Sequence, residues 1–279
     1  EGDPEAYKQL DGKKYYDYAD DCSWGPRFDS SIKYLPAVAW DETSPYFGQE
    51  ETWTSHLNMD DLFQTGVADN TNVSFERAGK DYSTRISFSN MNMTGVNPNS
   101  GAQRRYANIK TAFTPLKNLH VSFDYKYTYK KNHNAATEGY GTESNNPYSD
   151  ILQWGQTNVN LKQYKDYLRP DGSFRSWNIT DYNDFTPAYH DSPYAVYNEI
   201  NNTNTREFHV LAGDIEYALP YNIKVGFKTT ANLYNFYQLY NRAGLKGQTD
   251  IHKQWQRKSY DVYNQGRITW DGKFIENRL

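Results

Sequence analysis

Apolar and polar positions alternate over long stretches of this chain. In 119–131, "LHVSFDYKYTYKK", one face carries Leu119, Val121, Phe123, Tyr125, Tyr127 and Tyr129, and the other carries His120, Ser122, Asp124, Lys126, Thr128 and Lys130. Successive side chains of a strand point to opposite faces, so this pattern predicts a strand with one apolar and one polar side. Similar patterns run through 71–79, 81–92 and 104–115, and again through 206–219, 221–237 and 258–272. Tyr82, Ile86 and Phe88 oppose Arg85, Ser87 and Ser89, and Ile223, Val225, Phe227, Ala231 and Leu233 oppose Lys224, Lys228 and Asn232. About seven strands result, most of them well beyond the roughly 5 or 6 residues usual in globular sheets. Their length suits a tilted membrane crossing, which takes about 9–11 residues.

The connections alternate strictly between short and long. "RAGKDY", "TPLKNL" and "ALPYNI" are tight turns broken by Gly79, Pro115 and Pro220. Between them lie "NMTGVNPNSGAQRR", the long stretch 132–205, and "YNRAGLKGQTDIHKQWQR". One end of the sheet therefore carries turns and the other large loops. This asymmetry belongs to outer-membrane barrels, with short periplasmic turns and long extracellular loops. The expected fold is all-β: an antiparallel transmembrane β-barrel segment. Its divisions are a loop region over 1–68 with a short helix, strands over 69–131, a large loop over 132–205, and strands with a loop over 206–279. Short helices are expected at 59–66 (capped by Gly66), 148–155 and 161–168.

Composition strengthens the reading. Mean hydropathy is −0.96 and 37% of the 279 residues are hydrophobic, yet 16% are aromatic, including 26 Tyr. Tyr has an apolar body and a polar tip, so it suits half-wet surfaces better than a thick aliphatic core. The net charge of −4 comes from 30 basic and 34 acidic residues well mixed along the chain, which gives no support for nucleic-acid binding. No window approaches the roughly 18 apolar residues of a membrane helix. "EGDPEAYKQL" is not a signal peptide. The single cysteine, Cys22, excludes an internal disulfide framework.

Catalytic signatures are lacking. The six histidines show no metal-ligand spacing, and no nucleophile elbow, dinucleotide fingerprint or phosphate loop is present. The chain is expected not to be an enzyme and to need no cofactor. Asp17, Asp20 and Asp21 offer hard oxygen ligands that suit Ca²⁺, but without the spacing or glycine of a calcium loop, so a solvated acidic loop is the competing reading. Aromatics in the loops are the better lead, because flat rings beside Asn, Asp and Gln grip sugars and peptides. Tyr148, Trp154, Trp177 and Tyr194 are the candidate substrate contacts, with Tyr148 and Trp154 foremost. The competing role for each is packing of loop against loop.

Several segments together resemble SusC/RagA-type TonB-dependent transporters. These are "SWGPRFDS" (23–30), "MDDLFQTG" (59–66), "NTNVSF" (70–75), "DYSTRISFSNMNMTGVNPNS" (81–100), the "KNLHVSFDYKY" strand, "NPYSDILQWG" (146–155) and "SPYAVYNEINNTNTRE" (192–207). They occur in family order across most of the chain. The family usually has Gly where Ser30 stands, and a Ser-Gly-Gly turn where this chain reads "ERAG". The resemblance implies an early portion of a 22-stranded outer-membrane barrel, with plug domain and TonB contact outside this chain. It also implies a SusD-like surface lipoprotein partner and uptake of oligosaccharides or peptides. Two other classes stay open: a soluble secreted glycan-binding β domain, and a passive porin-like barrel. A hydrolase is the weakest alternative.

Overall fold

The structure is a computed structural model and describes residues 8–10, 12–135, 147–244 and 249–272. Two short hairpins open the chain. β1 (Lys8–Leu10) pairs with β2 (Lys13–Tyr15), and β3 (Asp29–Tyr34) pairs with β4 (Glu51–Trp53). Four long strands follow: β5 (Val67–Ala78), β6 (Tyr82–Thr94), β7 (Gly101–Leu116) and β8 (Leu119–His133). Next come helix α1 (Pro147–Trp154), a small hairpin of β9 (Ile179–Asp181) and β10 (Asp184–Pro187), and helix α2 (Pro193–Glu199). Three strands of 20 residues each complete the chain: β11 (Ile200–Leu219), β12 (Ile223–Arg242) and β13 (Ile251–Trp270).

The seven long strands form one antiparallel sheet in the order β5-β6-β7-β8-β11-β12-β13. Each long strand pairs with the next along the chain, as in an up-and-down barrel wall. The short connections at one end are hairpins around Gly79, around 117–118 and around 220–222, where Tyr221 and Asn222 adopt positive φ. The ladder between β7 and β8 shifts register between Phe113 and Leu116. Pro115 has no N–H to give the ladder, so the irregularity falls where a donor is missing.

The register shows what each face carries. Because paired residues share a face, one row runs Val73–Phe88–Ala107–Tyr127–His209–Leu233–Tyr260, and the next runs Phe75–Ile86–Ile109–Tyr125–Leu211–Ala231–Val262. A mixed row, Thr84–Thr111–Phe123–Gly213–Thr229, follows, and then Tyr82–Phe113–Val121–Ile215–Phe227. From His209 to Leu219 the band spans ten residue steps, roughly 33 Å at about 3.3 Å each. A barrel tilt of about 40° reduces this to roughly 25 Å, the height of an outer-membrane apolar belt. The belt is bare: Val73, Phe75, Phe88, Ile215, Phe227 and Ile268 are all exposed, Ile268 by 77%.

The opposite face is charged. Arg267 on β13 pairs in register with Gly226 on β12, which pairs with Glu216 on β11. The Arg267 guanidinium crosses β12 to donate to both carboxylate oxygens of Asp214, at 2.7 and 2.8 Å, and to Glu216 at 3.0 Å. A Cβ on Gly226 would come within 2.8 Å of Arg267 Nε, so the absence of a side chain there opens the path across the strand. Lys224 joins the network through Glu216 at 3.5 Å, and Asp124 lies beside Lys126.

Neither face of the sheet forms a protein core. Among the described residues, three clusters of buried apolar residues lie in a crown built by the long connections and the first 66 residues; from the sheet they draw Ile200 and Tyr240, with Ile251 packed against one of them. One cluster gathers Leu62, Ile151, Leu161, Tyr164 and Trp177. Another is tyrosine-rich, with Tyr16, Tyr18 and Tyr34 packed against Trp53 and Ile179. Its hydroxyls are used: Tyr18 donates to the Leu35 carbonyl at 2.6 Å and accepts from Trp40 Nε1 at 2.6 Å, while Tyr34 donates to the Asn158 carbonyl at 3.1 Å. Burial pushes all three phenols well above their ordinary pKa.

The structure corrects details of the sequence reading. At 59–66 there is a short 3-10 turn, Met59–Leu62, capped by Asn58 and closed at Phe63, so Gly66 caps nothing. At 161–168 the helical part is only Leu161–Tyr164. The Asn58 and Asn160 side chains accept from the backbone two residues on, which favours a single tight turn over a longer helix. Helix α2 and the short strands β1–β4, β9 and β10 had no periodic signal. The parts of the loop readings at 136–146 and 245–248, like residues 1–7, lie outside the described residues.

Candidate functional site

Helix α1 organises the exposed part of the crown. Its Ile151 is buried in the central apolar cluster, which turns Leu152 outward at 66% exposure. The helix ends at Gly155, whose N–H bonds the Ile151 carbonyl at 3.0 Å. A Cβ on Gly155 would sit 2.4 Å from that same carbonyl oxygen, so only glycine closes the helix this tightly.

Tyr148, near the start of α1, ties three segments together. Its ring stacks on Phe63 (5.3 Å, 26°) and meets Tyr197 of α2 edge-on (6.2 Å). Its hydroxyl donates to Asn97 in the β6–β7 loop. Burial raises the Tyr148 pKa, with the nearby Tyr197 hydroxyl acting the other way. Phe63 remains exposed beside it, so Tyr148 and Phe63 present a short aromatic shelf with Leu152.

Trp154, at the other end of α1, begins a second stack. Its indole lies over His190 (6.5 Å, 20°), and His190 lies nearly parallel to Trp177 (5.6 Å, 6°). His190 Nδ1 is 3.6 Å from Asp150 Oδ1 of the same helix. Among the described residues, neither His190 ring nitrogen nor Trp177 Nε1 has a hydrogen-bond partner. The 189–190 backbone is held by Asn178, fully buried, whose Oδ1 accepts from the N–H groups of Tyr189 (2.7 Å) and His190 (3.0 Å).

The four sequence candidates thus divide. Tyr148 and Trp154 are partly exposed and stand at the two ends of one helix. Trp177 has no exposed surface and Tyr194 is 7% exposed, so both are core residues. The Tyr194 hydroxyl donates to the Asp61 carbonyl at 2.8 Å, and burial, with the charge of Asp61, pushes its pKa up to about 12. The 3.6-residue spacing of α1 singles out Tyr148 with Leu152. Phe63 and His190 could be found only from the tertiary packing.

The crown is locked by one carboxylate. Asp41 Oδ2 accepts from Arg169 Nε at 2.8 Å and Arg175 Nε at 2.9 Å, and Oδ1 accepts from Thr43 N–H and Oγ1. Arg175 also donates to the Asp166, Leu168 and Thr43 carbonyls. Burial acts to raise the Asp41 pKa, but the hydrogen bonds from Thr43 and Arg169 outweigh it and hold it down at about 2.

Of the acidic residues near the chain start, the structure brings Asp20, Asp21 and Cys22 within 4.8 Å, whereas Asp17 Oδ1 accepts from Ala19 N–H. A thiol is a soft ligand that suits Ca²⁺ poorly. The loop reads as a solvated acidic turn.

Together the sheet and crown define an all-β protein consistent with a segment of β-barrel wall carrying a folded loop domain at one end. No family model and no curated protein matches the chain. Among solved structures the chain is similar to the RagAB peptide importer in the "closed-closed" state, at 12% identity with a TM-score of 0.49. The match covers 74% of this chain and spans 22% of the length of that one. At this identity the likeness fixes neither substrate nor partner.

Proposed function

We propose that this chain forms part of the wall and outer loops of an outer-membrane transporter that imports oligosaccharides or peptides. The observation that carries the reading is the bare apolar belt. Seven strands of 12 to 20 residues expose one apolar face while every buried apolar cluster lies in the crown. In water such a belt is an aggregation surface, and in a bilayer it is the wall of a barrel. The charged face then lines a watery lumen, and the crown stands outside the membrane. β5 and β13 leave backbone groups open at both edges of the sheet, which a bilayer does not tolerate, so further strands complete the barrel.

The SusC/RagA resemblance in the sequence supports the remaining parts of the proposal. A SusD-like lipoprotein lies against the crown, and energy arrives through TonB and a plug domain outside this chain. Substrate is moved with no bond made or broken, so the protein is not an enzyme. The shelf of Phe63, Tyr148 and Leu152, with Trp154, is the contact surface for substrate or lipoprotein.

Fractionation of the native source, probed with an antibody against the 147–205 crown, tests this reading. The expected band lies in the detergent-extracted outer membrane at a mass well above 32.5 kDa. A water-soluble band at that mass would overturn the proposal in favour of a secreted binding domain.

A further inference from the structure

We propose that the upper outward rim of β5–β8 holds the phosphorylated headgroup of a membrane lipid, a site that rests on the lipid-facing reading of the sheet. A cleft of about 550 Å³ opens there, lined by Asp69, Asn92, Gln103, Lys131 and His133 among others. By register these belong to two adjacent rows, Asp69–Asn92–Gln103–Lys131 and Val67–Thr94–Gly101–His133. Both rows share the face of the apolar belt. Just below them runs Thr71–Asn90–Arg105–Tyr129, and below that the belt begins with Val73, Phe88 and Tyr127.

Climbing this face, the chain passes from aliphatic side chains to an aromatic ring and then to a polar cleft. A bilayer leaflet has the same order, from acyl chains through the boundary to the headgroups. The Arg105 guanidinium lies 5.4 Å from the centre of the Tyr129 ring at the boundary. Lys131, one row higher on β8, has no ion-pair partner among the described residues. Lys131 lines the cleft and forms its phosphate end, with Arg105 one row below on the neighbouring strand.

The far end is different. Asp69 lies three strands away, roughly 14 Å at about 4.8 Å per strand, and accepts from Asn92 Nδ2 at 3.3 and 3.5 Å. A carboxylate and an amide suit hydroxyl groups, so the cleft matches a headgroup carrying both phosphate and hydroxyls. Its floor is flat at Gly101, where a Cβ would come within 2.7 Å of the Met93 carbonyl oxygen. His133 closes the top, with Nδ1 2.8 Å from Thr203 Oγ1 and Nε2 3.2 Å from Asn99 Oδ1.

The test uses the full-length native protein, extracted from outer membrane in detergent and studied by native mass spectrometry. Three probes are added: a bisphosphorylated, acylated disaccharide lipid, the same lipid without phosphates, and inorganic phosphate. The phosphorylated lipid is expected to be retained most strongly, with Lys131→Gln weakening it about fivefold and Lys131→Arg preserving it. Arg105→Gln serves as the probe if Lys131→Gln fails to reach the membrane. Equal retention of both lipids, no effect of the neutral variants, or equally tight binding of inorganic phosphate would each overturn the proposal. A protein absent from the membrane fraction would overturn the barrel reading and this site with it. A membrane protein indifferent to the lipid's phosphates would sink this site alone.

Discussion

The sheet and the crown bury apolar surface by opposite means. The crown folds around an enclosed core, with Leu62, Leu161 and Trp177 fully buried and the Tyr18 and Tyr34 hydroxyls hydrogen-bonded to backbone carbonyls. The sheet encloses nothing. Its belt of apolar side chains is exposed on one face, and the Asp214–Glu216–Arg267 network lies on the other. On the proposed reading, one chain therefore carries two solvent specifications: water all round for the crown, and water on one side with hydrocarbon on the other for the sheet. Substitutions in the two regions should fail in different ways.

The largest effect is expected at Asp41. Asp41→Ala leaves the buried Arg169 guanidinium without its carboxylate and Arg175 with only the exposed Asp166, a loss of about 3–5 kcal/mol. The crown should become protease-sensitive while the sheet keeps its heat-modifiable migration on gels, which limited proteolysis in membranes would show. Loss of the barrel as well would mean that the two regions are not separable.

Next comes charge on the belt. Phe123→Arg places a guanidinium in the middle of the apolar face, at a cost of about 2–4 kcal/mol in a bilayer. Its neighbour Asp124 lies on the opposite, charged face, and Asp124→Arg should cost far less. Equilibrium refolding into vesicles distinguishes them, and equal costs would remove the difference between the faces.

Acid should act on the crown before the sheet. The Asp41 pKa lies at about 2 in the folded chain against an ordinary 3.8. A depressed carboxylate pKa means that the folded state favours the charged form. This contribution is intact above about pH 4 and is lost as pH falls from there towards 2. Near-ultraviolet circular dichroism of the crown tyrosines should therefore change in that window, and Asp41→Asn should abolish the pH dependence.

The smallest effect is expected at the shelf. Trp154→Ala removes one aromatic contact worth about 0.5–1.5 kcal/mol, so substrate or lipoprotein affinity should fall roughly threefold to tenfold, while Tyr148→Ala should also loosen the packing on Phe63 and Tyr197. Trp177→Ala should instead cost about 3–5 kcal/mol of crown stability as a cavity. Titration calorimetry alongside thermal unfolding separates the two outcomes.

The sheet was largely legible in the sequence because period-two alternation is local. The strands run further than the alternation does. β11 begins at Ile200 rather than near 206, and β13 at Ile251 rather than near 258. "INNTNT" and "IHKQWQR" carry no apolar face, yet their backbones pair fully; above the belt both faces are wet, so the ladder persists without the pattern. The crown was barely legible. Its strands are three to six residues long, and its central contacts join residues far apart, such as Asp41 with Arg175 and Tyr194 with Asp61. Richness in Trp and Tyr indicated order in the loops but not which rings were core, and Trp177 and Trp154 differ only in what packs around them.

Spin-label accessibility along 121–126 tests the central claim most directly. In the full-length protein with Cys22→Ser, single cysteines are labelled in turn and the protein is placed in bilayers. Labels at Val121, Phe123 and Tyr125 should be open to oxygen and shielded from a polar nickel chelate, and those at Ser122, Asp124 and Lys126 should show the reverse. Chelate access at all six positions, with no alternation, would contradict a lipid-facing belt.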